Sequence, residues 1–297
     1  MQFQTLSVVV PTGRCVNACP FCVSRMHESP YEWILEESVT SKEKQEAYFR
    51  QYKRRLQFAQ DNGSNTIVFT GTAEPIQNKK FIKRVVEINE SIRKPFQWLE
   101  IQTTGVYLLH QQLPPYTNLD FLYDLGLSTI ALSIVDPFND ENNLKTMGVL
   151  PKLHFSLEEL TKAIKDKGFN LRLCFNLTQA LAPEHRNMIA LINRAKELGA
   201  DQLTLRQMYH SQECKSNEDL WVRDNLLQIH NSLPEMGNVR LLEPLPTGAK
   251  RYSINGISVV YDDDCMSYAP AEVVRYLILQ PNAKLYTKWD DPASLVF

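Results

Sequence analysis

The sequence predicts an α/β protein built on a parallel sheet, and three observations carry that expectation. Short β-branched apolar runs alternate with longer amphipathic stretches, the pattern of strands joined by crossover helices. Six such strand–helix units precede residue 236. From about Val239 the pattern changes to apolar runs paired around Asn255-Gly256 and Pro281-Asn282. The division expected is 1–236 for the strand–helix units and 237–297 for a small β-rich C-terminal extension, which either has its own core or packs on what precedes it.

The elements follow in order. Residues 5–10 are β-branched and close on Pro11-Thr12-Gly13, a first strand running into a turn. Residues 41–61 place Tyr48, Phe49, Tyr52, Leu56 and Ala59 at near-helical intervals, with Asn62-Gly63 to end the helix and Lys53-Arg54-Arg55 on its solvated face. Residues 66–70 read as a buried second strand leading into Gly71-Thr72-Ala73-Glu74-Pro75, with a helix over 79–92. A third strand over 98–103, a short helix over 119–125 and a fourth strand over 129–135 come next. Residues 136–154 read as a polar loop, a lid near the strand ends. Ser156 caps a helix to Lys167, followed by a fifth strand over 170–176 and a helix over 183–198 opened by proline. Residues 201–207 form the sixth strand and 217–233 the last long helix. Beyond these, 241–245, 251–261 and 276–286 read as strands and hairpins.

The chemistry concentrates just past the first strand. Cys15, Cys19 and Cys22 stand at spacing C-x3-C-x2-C. Thiolates are soft ligands that favour iron–sulfur clusters, zinc or copper(I). Three of them on a four-iron, four-sulfur cluster leave one iron without a protein ligand, an open position of the kind where catalysis occurs. The alternative is structural zinc with His27 as fourth ligand. Such a module usually carries a second paired element downstream, whereas Cys174, Cys214 and Cys265 are isolated.

The cysteine spacing, with Phe21 just before the last cysteine, resembles the signature loop of the radical S-adenosylmethionine (radical SAM) superfamily. One strand–helix unit later, Gly71 to Pro75 resembles the Gly-Gly-Glu-Pro-like turn that binds the SAM amino group in that family. It departs in Thr72, where a second glycine is usual, and in the inserted Ala73. By architecture the resemblance spans residues 5–235; by sequence it rests on these two short motifs. It implies a partial (β/α)6 TIM-like barrel and a 4Fe-4S cluster on Cys15, Cys19 and Cys22. It further implies S-adenosyl-L-methionine on the open iron, cleaved reductively to a 5′-deoxyadenosyl radical that abstracts hydrogen from a substrate, small molecule or peptide. An electron donor such as flavodoxin or ferredoxin is the implied partner.

The same resemblance assigns residues at the strand ends. Phe21 flanks the adenine; Gly71, Thr72 and Glu74 surround the amino group. Thr103, Thr104 and Ser133 offer hydroxyls to the methionine carboxylate or ribose, and Asn176 offers its amide to the ribose. The glycine-and-glutamate motif some relatives carry near strand five is not recognisable over 176–184. Arg206 either holds a carboxylate of SAM or substrate or pairs internally, because an inward unpaired arginine is costly. Cys174 reads as a buried small hydrophobe. Cys265 is either an incidental loop cysteine or, by analogy with some epimerases, the hydrogen-atom donor, and Asp262, Asp263 and Asp264 form either a cation-binding or a solvated acidic turn.

Composition narrows the setting. Charged residues make up 22% and the formal charge is −2, so nothing points to nucleic acid as an obligate partner. The first ten residues are too short and polar for a signal peptide, and no apolar run of about 18 residues suits a membrane span. Six cysteines, three of them clustered, suit a reducing cytoplasm better than a disulfide framework. The competing function class is a non-catalytic zinc- or cluster-binding interaction module, which would bind no SAM.

Overall fold

A computed structural model describes residues 2–26, 41–210, 215–230, 233, 238–245, 249–262, 273–289 and 291–297. In chain order these form β1 (Gln2–Val9), α1 (Val23–Met26), α2 (Lys42–Asp61), β2 (Thr66–Thr70), α3 (Lys79–Ser91) and β3 (Trp98–Thr103). A small hairpin of β4 (Gln111–Leu113) and β5 (Tyr116–Thr117) precedes α4 (Asn118–Asp124). Then come β6 (Thr129–Ile134), α5 (Asp140–Thr146), α6 (Leu157–Asp166), β7 (Asn170–Leu177), α7 (Met188–Glu197), β8 (Gln202–Gln207) and α8 (Asn217–Asn225). The last five strands are β9 (Val239–Pro244), β10 (Lys250–Ile254), β11 (Ile257–Asp262), β12 (Val273–Leu279) and β13 (Leu285–Tyr286).

The chain is an α/β protein with a mostly parallel central sheet. The six expected strands lie side by side in chain order as β1-β2-β3-β6-β7-β8, all parallel. The strands after residue 237 continue this same sheet from both sides. β12 pairs parallel with β1, and β11 pairs parallel with β8. The antiparallel β13 and the β10–β9 hairpin lie outside them. Tyr48 and Tyr52 of α2 donate their hydroxyls to the carbonyls of Pro281 and Gln280, at 2.7 and 3.1 Å, which stitches the last segment to the first long helix.

Alternation along the strands separates two faces. Ile67, Phe69, Leu99, Ile101, Leu132, Leu173 and Leu205 share one apolar core with Tyr52, Phe81, Leu122, Leu160 and Leu191 of the helices. Most alternate positions are polar or small, among them Thr70, Glu100, Gln102, Ala131, Ser133, Arg172, Cys174, Asn176, Thr204 and Arg206, with Val9 and Val68 as apolar exceptions. A parallel sheet packed with apolar groups on both faces would read as continuous hydrophobic runs. Here the alternate face carries charges, held by the Arg172–Glu100 pair at 2.8 Å and Arg206–Asp262 at 3.7 Å.

Three expected boundaries move. Residues 136–154 are not a loop throughout; they contain α5, capped by Asn139, and a 3-10 turn over Pro151–Leu153. α5 buries only Asn143 and Leu144, so it shows no apolar stripe in sequence. The helix expected over 183–198 starts late, because Pro183–His185 form a 3-10 turn and the Asn187 side chain caps α7 by accepting from Ala190 N. The helix expected over 217–233 stops at Asn225. There Gln179 N takes the Asn225 carbonyl at 2.8 Å and Leu226 bridges to Thr178, which draws the chain out extended.

Candidate functional site

Parallel strands deliver their carboxyl ends to one rim, so the loops after β1, β2 and β3 meet there. Val10 N donates to Thr70 O at 2.7 Å where β1 and β2 end together. Asn78 Nδ2 reaches Pro11 O at 2.7 Å, and Gln77 grips the cysteine loop twice, accepting from Val16 N and donating to Arg14 O, both at 3.1 Å. Gly71 is needed for this closeness, because a Cβ there would stand 3.0 Å from Ala73 O and 3.2 Å from Val10 O.

The other flank of the cysteine loop rests on the turn after α5. Ala18 N and Cys19 Sγ both donate to Met147 O, at 3.2 and 3.3 Å. Gly148 sits at φ +62°, and a Cβ would come within 2.8 Å of the Ala18 carbonyl oxygen. Arg25 donates to Cys19 O and pairs with Glu218 at the start of α8 at 3.1 Å. Phe21 packs on Trp221 of α8, ring centroids 5.6 Å apart. Phe21, Val106, Val135, Met147 and Met208 belong to a second apolar cluster, formed largely by residues just beyond the strand ends.

Cys15, Cys19 and Cys22 are free thiols, each half-buried. Burial pushes Cys19 up to about 12, and the neighbouring Cys22 and Cys15 charges add to that. Cys15 is raised too, first by burial, against a hydrogen bond from Asn17 N to its sulfur at 3.4 Å; the charges of Glu74 and Cys22 also raise it. Cys15 and Cys19 thus resist ionising in water alone, whereas a metal centre takes such groups as thiolates and releases the protons. Among the described residues no group of three His, Cys, Asp or Glu side chains forms a site for a metal ion. A cubane binds each thiolate on a separate iron and so does not require the three sulfurs to meet at one point.

Glu74 is 3% exposed, and its carboxylate is held by neutral donors. Thr103 Oγ1 donates to Oε1 at 2.5 Å, while Thr104 N and Oγ1 donate to Oε2 at 3.0 and 2.9 Å. Burial raises its pKa against those hydrogen bonds. Among the described residues no Lys, Arg or His forms an ion pair with it. Asn17 Nδ2 in turn donates to Thr104 Oγ1 at 2.8 Å, joining the cysteine loop to the Glu74 turn through one threonine.

The remaining expected residues differ in place and in role. Thr72 is half-buried in the turn after β2. Ser133 pairs in register with Cys174, and Asn176 with Arg206, on the polar face. Asp262 stands opposite Arg206 in β11 and is 3% exposed, so it is not part of a solvated acidic turn; its partner is that arginine. Cys174 is buried, as a mid-strand residue of this sheet should be. His27, Cys214, Asp263, Asp264 and Cys265 lie outside the described residues. Asn17, Gln77 and Gly148 were not singled out by the sequence, although a polar residue inside a cysteine motif and an isolated glycine are both signals of a kind.

No family model matches the chain, and neither does any curated protein. Among solved structures it is similar to coproporphyrinogen III oxidase (HemN) from Escherichia coli, a radical SAM enzyme, with 15% identity and a TM-score of 0.46. That alignment covers 76% of this chain and 49% of HemN, so the chain spans about half the length of that relative. It is also similar to the HMG-CoA lyase of Bacillus subtilis, with 13% identity and a TM-score of 0.35, over 72% of this chain and 60% of the lyase. No helix among the described residues is long and apolar enough to cross a membrane.

Proposed function

We propose that this chain is a radical SAM enzyme, with Cys15, Cys19 and Cys22 holding a 4Fe-4S cluster and SAM at the open iron. One observation carries the reading. Three free thiols on the loop after β1 are joined, through Asn17 and Thr104, to a buried carboxylate on the turn after β2 that has no cationic partner among the described residues. A buried carboxylate without a counter-cation is poised to receive one, and the SAM ammonium is such a cation.

When bound, the cluster and SAM together supply a carbon-centred radical able to abstract hydrogen, using one electron from a low-potential donor of the flavodoxin or ferredoxin class. The chain supplies placement and shielding. Gly71 and Gly148 let the turns on both flanks approach the cysteine loop, and Arg25 ties that loop to α8. The apolar cluster around Phe21, Met147 and Met208 keeps water from the rim, with Phe21 on the adenine side. Ser133, Asn176 and Arg206 line the polar face toward the same rim, where they would meet the ribose, the carboxylates or the substrate. A polar face suits the concave side of a partial (β/α)6 barrel that holds a polar ligand, unlike the apolar interior of a closed, packed one.

Anaerobic reconstitution with iron and sulfide is expected to yield a brown, air-sensitive protein with about four irons per chain that forms 5′-deoxyadenosine from SAM under a strong reductant. Alanine at Cys15, Cys19 or Cys22 should abolish both the colour and the nucleoside. A colourless protein that takes one zinc per chain and refuses iron defeats the assignment and favours the interaction module.

The role of Cys265 as hydrogen-atom donor belongs to the same proposal. Cys265 follows β11, whose last residue Asp262 pairs in register with Arg206 of β8, and itself lies outside the described residues. In deuterated solvent a quenching thiol places one deuterium in the product, and Cys265→Ala should still make 5′-deoxyadenosine while that labelled product is lost. Unlabelled product from the wild type sinks the role.

A further inference from the structure

Resting on that reading, the structure assigns a ligand contact to a residue outside the cysteines and the Glu74 turn. Asn17 lies between the first two cysteines and is 7% exposed. Its side-chain nitrogen is accounted for, donating to Thr104 Oγ1 at 2.8 Å. Thr104 has one hydroxyl proton, which goes to Glu74 Oε2, so its oxygen must accept from the Asn17 amide nitrogen. This chain of donors fixes which way the amide faces and leaves Asn17 Oδ1 as a buried acceptor with no donor among the described residues. Buried carbonyl oxygens in native proteins almost always have a donor, so an orphan beside a functional loop calls for one from outside.

We infer that Asn17 Oδ1 accepts a hydrogen bond directly from the ammonium of the SAM amino-acid moiety, with Glu74 supplying negative charge and holding the amide in place through Thr104. The geometry favours this division. The Glu74 oxygens already accept three hydrogen bonds, and the carboxylate lies behind the two threonines. Asn17 stands in the cysteine loop itself, with its backbone N–H on Cys15 Sγ at 3.4 Å. Asn17 as a residue thus stands between the cluster ligands and the Glu74 turn, where a chelating amino group must come. An ammonium offers three donors, so it can engage Asn17 Oδ1 and still feel the Glu74 charge.

The test compares SAM with its desamino analogue, in which hydrogen replaces the amino group, on anaerobically reconstituted wild type and Asn17→Ala. Dissociation constants come from equilibrium dialysis, with iron per chain measured on each sample. The wild type should prefer SAM over the analogue by about ten- to a hundred-fold, the worth of a charge-assisted hydrogen bond. In Asn17→Ala with full iron content that preference should shrink at least about threefold, while affinity for the analogue changes little. Undiminished preference in the iron-loaded variant overturns the inference and leaves the radical SAM reading standing. No SAM binding by the iron-loaded wild type defeats both. Should Asn17→Ala fail to hold iron, Asn17→Asp decides. It keeps an acceptor and adds a charge, so it must prefer SAM over the analogue at least as strongly as the wild type, and a weaker preference overturns the inference.

Discussion

Two buried glutamates, Glu74 at the rim and Glu100 on the wall of the sheet, are equally hidden and differently provided for. Each is 3% exposed, and burial raises the pKa of each. Glu100 has a cation of its own, Arg172 at 2.8 Å, with the Arg206 charge also acting on it. Glu74 has two threonine hydroxyls and a backbone N–H, all neutral. The wall pair is electrically closed, whereas the rim carboxylate leaves a negative charge uncompensated in a buried place. In the proposed function the difference separates a structural ion pair from a ligand site, a distinction that burial and pKa direction alone do not make.

The largest expected effect tests the open carboxylate. Glu74→Ala should retain its iron but bind SAM about ten- to a hundred-fold more weakly, or about 1.5–3 kcal/mol, as the charge and the Thr104–Asn17 alignment are lost together. Equilibrium dialysis on the reconstituted variant measures this. Unchanged affinity would make the turn after β2 purely structural and erase the contrast with Glu100.

A smaller effect tests the closed pair. Glu100→Gln should leave SAM affinity within about twofold of wild type, since Arg172 and not a ligand is its partner. Its effect should appear in stability against pH. The folded carboxyl holds its proton more tightly than the unfolded one, so its contribution is fully present below the ordinary carboxylate range and is lost as pH rises through the raised folded value. Chemical denaturation across pH should show wild-type stability falling relative to Glu100→Gln over that window. Parallel curves for the two proteins would show that the carboxyl titrates alike in both states.

Much of this arrangement was legible beforehand, for local reasons. The six parallel strands were readable because each is a short run with apolar residues at alternate positions, most of them closed by a turn of glycine, proline or threonine. Alternation of period two and helical spacing of period three to four are properties of the chain itself. The hairpin at Asn255-Gly256 was equally plain, since both residues take positive φ in it, 49° and 91°. α5 was hidden because its sequence is polar on nearly every side and only its packing gives it a face. The early end of α8 was hidden because it is imposed by Gln179, more than forty residues away.

The sequence by itself determined the order of the strand–helix units, the three clustered thiols and the carboxylate one unit later. Each is a matter of residue type and short spacing. Only the tertiary structure decided that the strands after residue 237 join both sides of the sheet, that Arg206 meets Asp262, and that the Thr103 and Thr104 hydroxyls turn to Glu74. It alone decided that Asn17 Oδ1 is left without a donor among the described residues. Those outcomes depend on groups far apart in the chain competing for the same partners in a place without water. Spacing cannot express that competition, because a hydrogen bond is assigned by which donors remain once the others are taken.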